Sequence, residues 1–137
     1  MGISQLKKLS NFVKKRNSIA KIYKEVFSGN KLFKIQEIRK DDYNGHHLFP
    51  LLIDFQKSGK KKLGLFKFLK KKNIHLQVHY TPIHLQPFYM KKFGYKKGDF
   101  PIAENFFKNE ISLPIYYNLE LSKAKKIASM IKNYILK

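Results

Sequence analysis

The longest hydrophobic pattern in the chain runs from Ser4 to Phe27 and has the period of an amphipathic helix. Its apolar side chains share one face about 100° wide on a wheel of about 3.6 residues per turn, namely Leu6, Leu9, Val13, Ala20, Tyr23 and Phe27. Lysines occupy much of the opposite face, and Ser28-Gly29-Asn30 supplies a helix stop. The pattern predicts one long helix.

Two short strands are predicted next, with a turn between them. Leu32 to Ile38 alternates loosely, and Asp41 to Gly45 has the residues of a turn. The segment His47 to Phe55 is an apolar run that ends in polar residues, which is typical of a buried strand. Pro50 predicts an edge position or a local irregularity in that strand.

The lysine-rich segment Lys60 to Lys72 has a helical period. Its core-facing side chains are predicted to be Leu63, Leu65, Phe66 and Leu69. A basic membrane-surface helix is the alternative, but a core helix with a solvated lysine face is favoured. After Asn73, apolar Ile74, Leu76, Val78 and Tyr80 alternate with His75, Gln77 and His79, which predicts a half-buried strand.

The last third of the chain is predicted to hold three helices and one strand. A short helix is expected over Pro87 to Phe93, and another opens at Gly98-Asp99-Phe100-Pro101 with Asp99 near its cap. A strand covers Ile111 to Ile115, and a final helix covers Leu121 to Leu136. Inward positions of that helix are Ile127, Met130, Ile131 and Tyr134. The order predicts an α/β (α+β) fold in which helices pack on a small sheet of about three to four strands.

Composition restricts the class of protein. The chain has 137 residues, enough for about one domain, and no cysteine, which excludes disulfides and thiolate metal sites. The lack of cysteine suits a cytoplasmic protein, and no segment is apolar enough to predict a membrane span.

The formal net charge of +20 raises the alternative of a free-standing basic module that binds nucleic acid or an anionic surface. Arginine, whose planar fork reads phosphates and bases, occurs only at Arg16 and Arg39. The lysines are spread along the whole chain rather than clustered, so the sequence disfavours nucleic-acid binding.

The uncharged stretch Gln77 to Tyr89, "QVHYTPIHLQPFY", is the strongest candidate for a functional segment. His75, His79 and His84 suggest a metal, but neither a cysteine nor a nearby carboxylate completes the ligand set. His79 or His84 could act as a general base, yet the sequence offers no nucleophile beside either. A packed, hydrogen-bonded histidine is the structural alternative, and Glu104 and Asp99 are interpreted as helix-start residues.

Several motifs in order resemble the C-terminal part of the DegT/DnrJ/StrS-type sugar-nucleotide aminotransferases. They are "GISQLKKL" at the start, Asn73-Ile74, "HYTPIH" from His79, "PFY" from Pro87, "FPIAE" from Phe100 and "SLP" from Ser112. Tyr117 departs from the pattern, since the family usually has proline there. Within the family, "QVHYTPIHLQPFY" is most similar to members that aminate a UDP-linked 4-keto-6-deoxy sugar for pseudaminic acid synthesis.

The resemblance implies a small domain of a fold type I enzyme that uses pyridoxal phosphate. Residues 1–30 would form a connecting helix and residues 31–137 the small C-terminal domain. His79, Tyr80, His84 and Tyr89 would line the cleft that holds the nucleotide sugar, or form a purely structural seam between domains. Implied partners are the nucleotide sugar, an amino donor such as glutamate, a large domain or second chain, and a second copy in a homodimer.

The family's catalytic groups have no counterpart in this sequence. The large domain of the family carries the Schiff-base lysine, the acid that pairs with the pyridine nitrogen, and the phosphate-binding residues. We therefore expect a truncated, split or excised product that is inactive alone, with no catalytic residue and no bound cofactor of its own.

Overall fold

The computed structural model describes residues 2–39 and 41–137. It contains six α-helices, one 3₁₀ turn and three strands. In chain order they are α1 (Gly2–Phe27), β1 (Phe33–Ile35), β2 (Phe49–Ile53), α2 (Phe55–Ser58), α3 (Lys62–Lys70), the 3₁₀ turn (Ile83–Leu85), α4 (Pro87–Phe93), α5 (Pro101–Asn109), β3 (Glu110–Leu113) and α6 (Leu121–Leu136). The predicted mixed fold class is confirmed, with a sheet of three strands.

The long helix α1 ends where the sequence predicts. Gly29 takes the left-handed backbone conformation, with φ of 76°, that glycine adopts without steric cost. The second half of α1 buries Val13, Ile19, Ala20, Tyr23 and Phe27. It packs with α6 and α3 against one face of the sheet.

The first half of α1 corrects the prediction of one continuous buried face. Leu6 is 66% exposed and Leu9 is 48% exposed, although both lie on the predicted apolar stripe. Every residue from Gly2 to Asn11 is exposed, because none of the described elements packs against these turns. The hydrophobic stripe is real, but this chain does not cover it.

The three strands form an antiparallel sheet in the order β1-β2-β3. The strand β2 is therefore central, which excludes the edge position that was one of the two alternatives predicted from Pro50. Pro50 pairs with Ser112 of β3, while the pairing with β1 ends at Leu51. The chain tolerates proline here because only one neighbouring strand reaches this position.

The predicted strand from Ile74 to Tyr80 is reduced to one bridge, between Gln77 and Ser112. In an antiparallel register the next hydrogen-bonded rungs would join His79 to Glu110 and His75 to Pro114. Pro114 has no N–H to donate, and the His79 N–H bonds to the Glu110 side chain instead of its carbonyl. Both flanking rungs are therefore lost, and the segment stays extended beside β3 without becoming a strand.

The predicted alternation along that segment nevertheless holds at its start. Ile74 and Leu76 pack against the core, as do Ile111 and Leu113 of β3. Directly paired residues point to the same face of a sheet, so Gln77 and His79 lie on the face of Ser112 and Glu110. Tyr80, at 75% exposed, was predicted to be inward and is not.

The helices α3 to α6 agree closely with the sequence pattern, whereas the short helix α2 was not predicted. The bounds of α4 and α6 are those predicted. In α3, Leu65 and Leu69 are buried and Phe66 is half-buried, whereas Leu63 is 65% exposed and was wrongly assigned to the core. Asp99 does not cap α5; Phe100 takes that position, and Asp99 accepts a hydrogen bond from the Lys96 N–H.

Candidate functional site

A polar cluster lies on the sheet face opposite the core, where β3 meets the extended segment. Glu110 is 1% exposed and Ser112 is 4% exposed. The Ser112 hydroxyl donates to Glu110 Oε1 at 2.6 Å, and His79 Nδ1 lies 2.6 Å from Ser112 Oγ. The His79 backbone N–H donates to Glu110 Oε2 at 3.1 Å, so both carboxylate oxygens are used.

Beside this cluster is a cavity of about 300 Å³. Its polar lining consists of His47, His75, Gln77, His79, Ser112 and Tyr116. A volume of about 300 Å³ is at the lower limit of small-molecule sites. A lining rich in donors and acceptors suits a compact polar group such as a sugar.

An apolar surface, called here the aromatic surface, begins at Tyr80, the residue that follows His79. Its exposed side chains are Tyr80, Ile83, Phe88, Tyr89, Phe93, Tyr95, Phe100, Ile102 and Phe106. Neighbouring rings contact each other, with centroids 6.0 Å apart for Tyr89 and Phe93 and 5.5 Å apart for Tyr95 and Phe100. Two shallow hollows of about 600 and 520 Å³ cross it. A contiguous apolar surface of this kind typically marks an interface.

His84 lies under the aromatic surface and is closed in. It is 6% exposed, its Nε2 lies 3.0 Å from Glu104 Oε1, and its ring packs on Phe100 with centroids 4.7 Å apart. The same Glu104 oxygen accepts the Gly98 N–H at 2.7 Å. The hydrogen bond to His84, followed by the one from Gly98, lowers the pKa of Glu104. Glu104 thus ties the 3₁₀ turn, the loop before α5 and the first turn of α5 together.

The four residues predicted from the sequence therefore divide into different environments. His79 lines the polar cavity, and Tyr80 and Tyr89 belong to the aromatic surface. His84 is buried under that surface, where its ring contacts Glu104. The peptide bond between His79 and Tyr80 is cis. No group of three potential metal ligands occurs within residues 2–39 and 41–137.

Sequence reasoning missed Glu110 and Ser112 as partners of His79. The signal was present in "EISL", where polar residues at every second position of a strand must share one face. Only the register of the chain beside β3 identifies His79 as the residue they contact.

One half-buried lysine also lies near this cluster. Lys62 donates from Nζ to the Phe107 carbonyl at 2.7 Å. Burial lowers the pKa of Lys62, and the nearby charge of Glu110 acts in the opposite direction. The ammonium of Lys62 and the carboxylate of Glu110 therefore lie close enough to interact.

Comparison with known proteins gives consistent matches over nearly the whole chain. A family model described as the DegT/DnrJ/EryC1/StrS aminotransferase family matches residues 1–132. The chain is 42% identical over 135 residues to an uncharacterised protein of Methanocaldococcus jannaschii, covering 98% of this chain and 35% of that protein. It is 37% identical over 125 residues to a UDP-4-amino-4,6-dideoxy-N-acetyl-beta-L-altrosamine transaminase of Campylobacter jejuni, covering 91% of this chain and 32% of that enzyme.

A solved structure matches equally well. Helicobacter pylori PseC, an aminotransferase involved in the biosynthesis of pseudoaminic acid, superposes with a TM-score of 0.85 at 34% identity. The match covers 98% of this chain and 35% of that structure. The chain thus spans about a third of the length of the relatives it matches.

Proposed function

The chain belongs to the DegT/DnrJ/EryC1/StrS aminotransferase family, and from this premise we propose that it is the C-terminal small domain of a sugar-nucleotide aminotransferase. The observation that carries the proposal is the path of the segment Gln77 to Tyr89. It leads from a polar cavity directly onto an exposed aromatic surface. A cleft between two domains needs both: polar groups for the substrate, and an apolar face for the partner domain.

The proposed substrate is a UDP-linked 4-keto-6-deoxy sugar, and the proposed pathway is pseudaminic acid synthesis in the cytoplasm. Support comes from the named relative of Campylobacter jejuni, at 37% identity. His79 and Tyr80 would contact the sugar nucleotide, and Tyr89 would pack against the domain that completes the cleft. His84 would hold the loops in position through Glu104, since its ring is already buried.

Aminotransferases of this family use pyridoxal phosphate, which takes up and delivers the amino group while it is bound. The residues of the polar cavity do not fit that cofactor, because its lining contains neither a lysine nor a carboxylate. The part played by this chain would be to bind and orient the sugar and to exclude water.

We therefore propose that the chain acts only when joined by the other two thirds of the enzyme, as one polypeptide or as a second chain. In either arrangement the aromatic surface and the exposed stripe of α1 at Leu6 and Leu9 would be covered. Glutamate as amino donor and a dimeric assembly belong to the same proposal.

A complementation experiment tests this proposal. The part of Helicobacter pylori PseC that this chain does not match is expressed separately and mixed with it, and transfer of the amino group from glutamate is measured. Activity is expected only from the mixture, and His79→Ala is expected to lower it at least 10-fold without preventing association. Leu63→Ala, at an exposed position away from the cavity, is the matched control. Association with no loss from His79→Ala would contradict the assignment of the cleft.

The inactivity of the chain alone is tested by adding pyridoxal phosphate and reducing with borohydride. Lysine is abundant, so scattered labelling of exposed amines is expected at high cofactor concentration. Peptide mapping that found one lysine labelled stoichiometrically would overturn this part of the proposal.

A further inference from the structure

The hydrogen bonds around His79 determine which of its ring nitrogens carries the proton. Ser112 has one hydroxyl proton, and it is directed to Glu110 Oε1. The 2.6 Å contact between His79 Nδ1 and Ser112 Oγ must then have its proton on the histidine. A neutral imidazole that donates from Nδ1 carries its lone pair on Nε2.

The hydrogen bonds that run from His79 through Ser112 to Glu110 are called here the relay. Glu110, at its buried end, determines which group donates in each bond. Glu110 receives the His79 backbone N–H on one oxygen and the Ser112 hydroxyl on the other, and an ionised carboxylate can only accept. As a carboxylate, Glu110 can only accept, and reversing the Ser112 hydroxyl would leave one of its buried oxygens unpaired. Nε2 of His79 has no hydrogen-bond partner among the residues that the structure describes, and His79 lines the polar cavity.

We propose that Glu110 and Ser112 are positioning residues that hold His79 in the Nδ1–H tautomer, so that Nε2 accepts a hydrogen bond from a hydroxyl or N–H group of the ligand. The tautomer rests on the geometry and on Glu110 being a carboxylate, while the role toward a nucleotide sugar rests on the proposed function. The cavity would then select a ligand group that donates a proton at this point, and the site would discriminate against an analogue in which that donor is removed.

The wild-type chain provides the first test. The ring nitrogens of ¹⁵N-labelled histidine are assigned by long-range proton–nitrogen correlation. The spectra are recorded at a pH high enough that the nitrogen chemical shifts no longer change with pH and the rings are neutral. His79 is expected to show a protonated Nδ1 and a pyridine-type Nε2. His75 lines the same cavity, and the described residues give its ring no hydrogen-bond partner, so it serves as the internal reference and should show the Nε2–H tautomer that free histidine prefers. A protonated Nε2 on His79 would overturn the proposal.

Glu110→Gln provides a sharper test because it should reverse the relay. The side-chain carbonyl of the glutamine is needed by the His79 backbone N–H, which leaves the amide NH₂ to face Ser112 Oγ. Ser112 would then donate to His79 Nδ1 and shift the proton of the ring to Nε2. If Glu110→Gln retained the Nδ1–H tautomer in a folded chain, the carboxylate would not be the determinant.

Ser112→Thr and Ser112→Ala form a matched pair for the middle of the relay. The threonine keeps the hydroxyl and is expected to keep the Nδ1–H tautomer, whereas the alanine is expected to release it. A general loss of packing would change the backbone amide spectrum in both variants, so the two causes are separable. Equal tautomers in the two variants would overturn the role of Ser112.

The ligand part is tested separately with the complemented enzyme. Glu110→Gln is expected to raise KM for the nucleotide sugar about 10-fold and to leave KM for glutamate unchanged. If Glu110→Gln altered the tautomer of His79 but left KM for the nucleotide sugar unchanged, the role of His79 in ligand recognition would be rejected. The assignment of the wild-type tautomer would stand. Failure of complementation by the wild-type chain would reject the proposed function instead.

Discussion

At the scale of single residues, His79 and His84 show how similar neighbours in the sequence take different roles. Both lie near a carboxylate, but Glu110 reaches the His79 ring through Ser112, whereas Glu104 contacts the His84 ring directly. The relay leaves His79 beside a cavity, and the direct bond fixes His84 among packed rings. A histidine count cannot make this distinction, because it depends on which strand face the partners occupy.

Glu104 gives a prediction for the dependence of stability on pH. Its pKa is lowered in the folded chain by the hydrogen bond with His84 first, then by the Gly98 N–H. A lowered folded pKa stabilises the fold above the ordinary value of 4.5, and this stabilisation is lost as the pH falls through the folded value. Glu104→Gln should therefore flatten the decline of the melting temperature between pH 6 and pH 3.

The matched control for this measurement is Glu37→Gln, since Glu37 is exposed and has no side-chain hydrogen bond to the described residues. Its melting curve should follow that of the wild type at every pH. If Glu104→Gln and the wild type lost stability in parallel on acidification, Glu104 would not be linked to folding in this way.

At the scale of elements, the sequence predicted the long helices well and the edge of the sheet poorly. The period of α6 spans sixteen residues and sets both of its ends, because many positions repeat the same signal. The segment Ile74 to Tyr80 has an equally clear alternation, but pairing requires a partner with free backbone groups. Pro114 and the Glu110 side chain remove those groups, and both are distant in sequence, with Glu110 lying 31 residues after His79.

The candidate site, like the secondary structure, was predicted from the sequence only in part. The motifs identified His79, Tyr80, His84 and Tyr89, and the structure gives their surroundings. Their role in a cleft stays a prediction, as does the division of the chain near residue 30. Glu110 and Ser112 could be recognised as polar residues on one strand face, yet nothing local indicates which side chain they meet.

The helix α3 offers a direct test of where its buried face lies. Leu63 and Leu69 are both apolar and were both predicted to be in the core, but Leu69 is fully buried and Leu63 is 65% exposed. Leu69→Ala should lower the free energy of unfolding by about 2–5 kcal/mol through lost burial and a residual cavity. Leu63→Ala should change it by less than about 0.5 kcal/mol.

Urea unfolding followed by circular dichroism measures both variants under the same conditions. The two substitutions remove the same atoms from the same helix, so helix propensity cancels between them. Comparable losses for the two variants would mean that α3 is rotated relative to the core.

At the scale of the whole molecule, the fold and the family resemblance read from the motifs are both confirmed. The chain nevertheless leaves much apolar surface uncovered, at the aromatic surface and on the first half of α1. No helix within the described ranges, 2–39 and 41–137, is both long and apolar enough to cross a membrane. These two uncovered surfaces lie in separate parts of the sequence. A partner domain that contacted both of them would cover them.

The net charge of +20 leads to a prediction about salt. Only a few lysines find carboxylates among the described residues, as in the pairs Lys57–Asp54 and Lys123–Glu120, and exposed pairs of this kind contribute little. Mutual repulsion of the remaining cations opposes the compact state. Since the Debye length falls from about 30 Å at 0.01 M salt to about 3 Å at 1 M, added salt should stabilise the fold.

We expect the melting temperature to rise by roughly 3–5 °C between 10 mM and 0.5 M sodium chloride, equivalent to about 1 kcal/mol for a domain of this size. Screening depends on ionic strength alone, so sodium perchlorate at equal ionic strength should act alike, whereas a bound anion would give a saturable effect at low concentration. The same charge would make any binding to DNA steeply salt-dependent. If DNA binding remained tight at 0.2 M salt, the nucleic-acid alternative would be favoured again. If the melting temperature did not change with salt, the lysines would be too well separated to oppose folding.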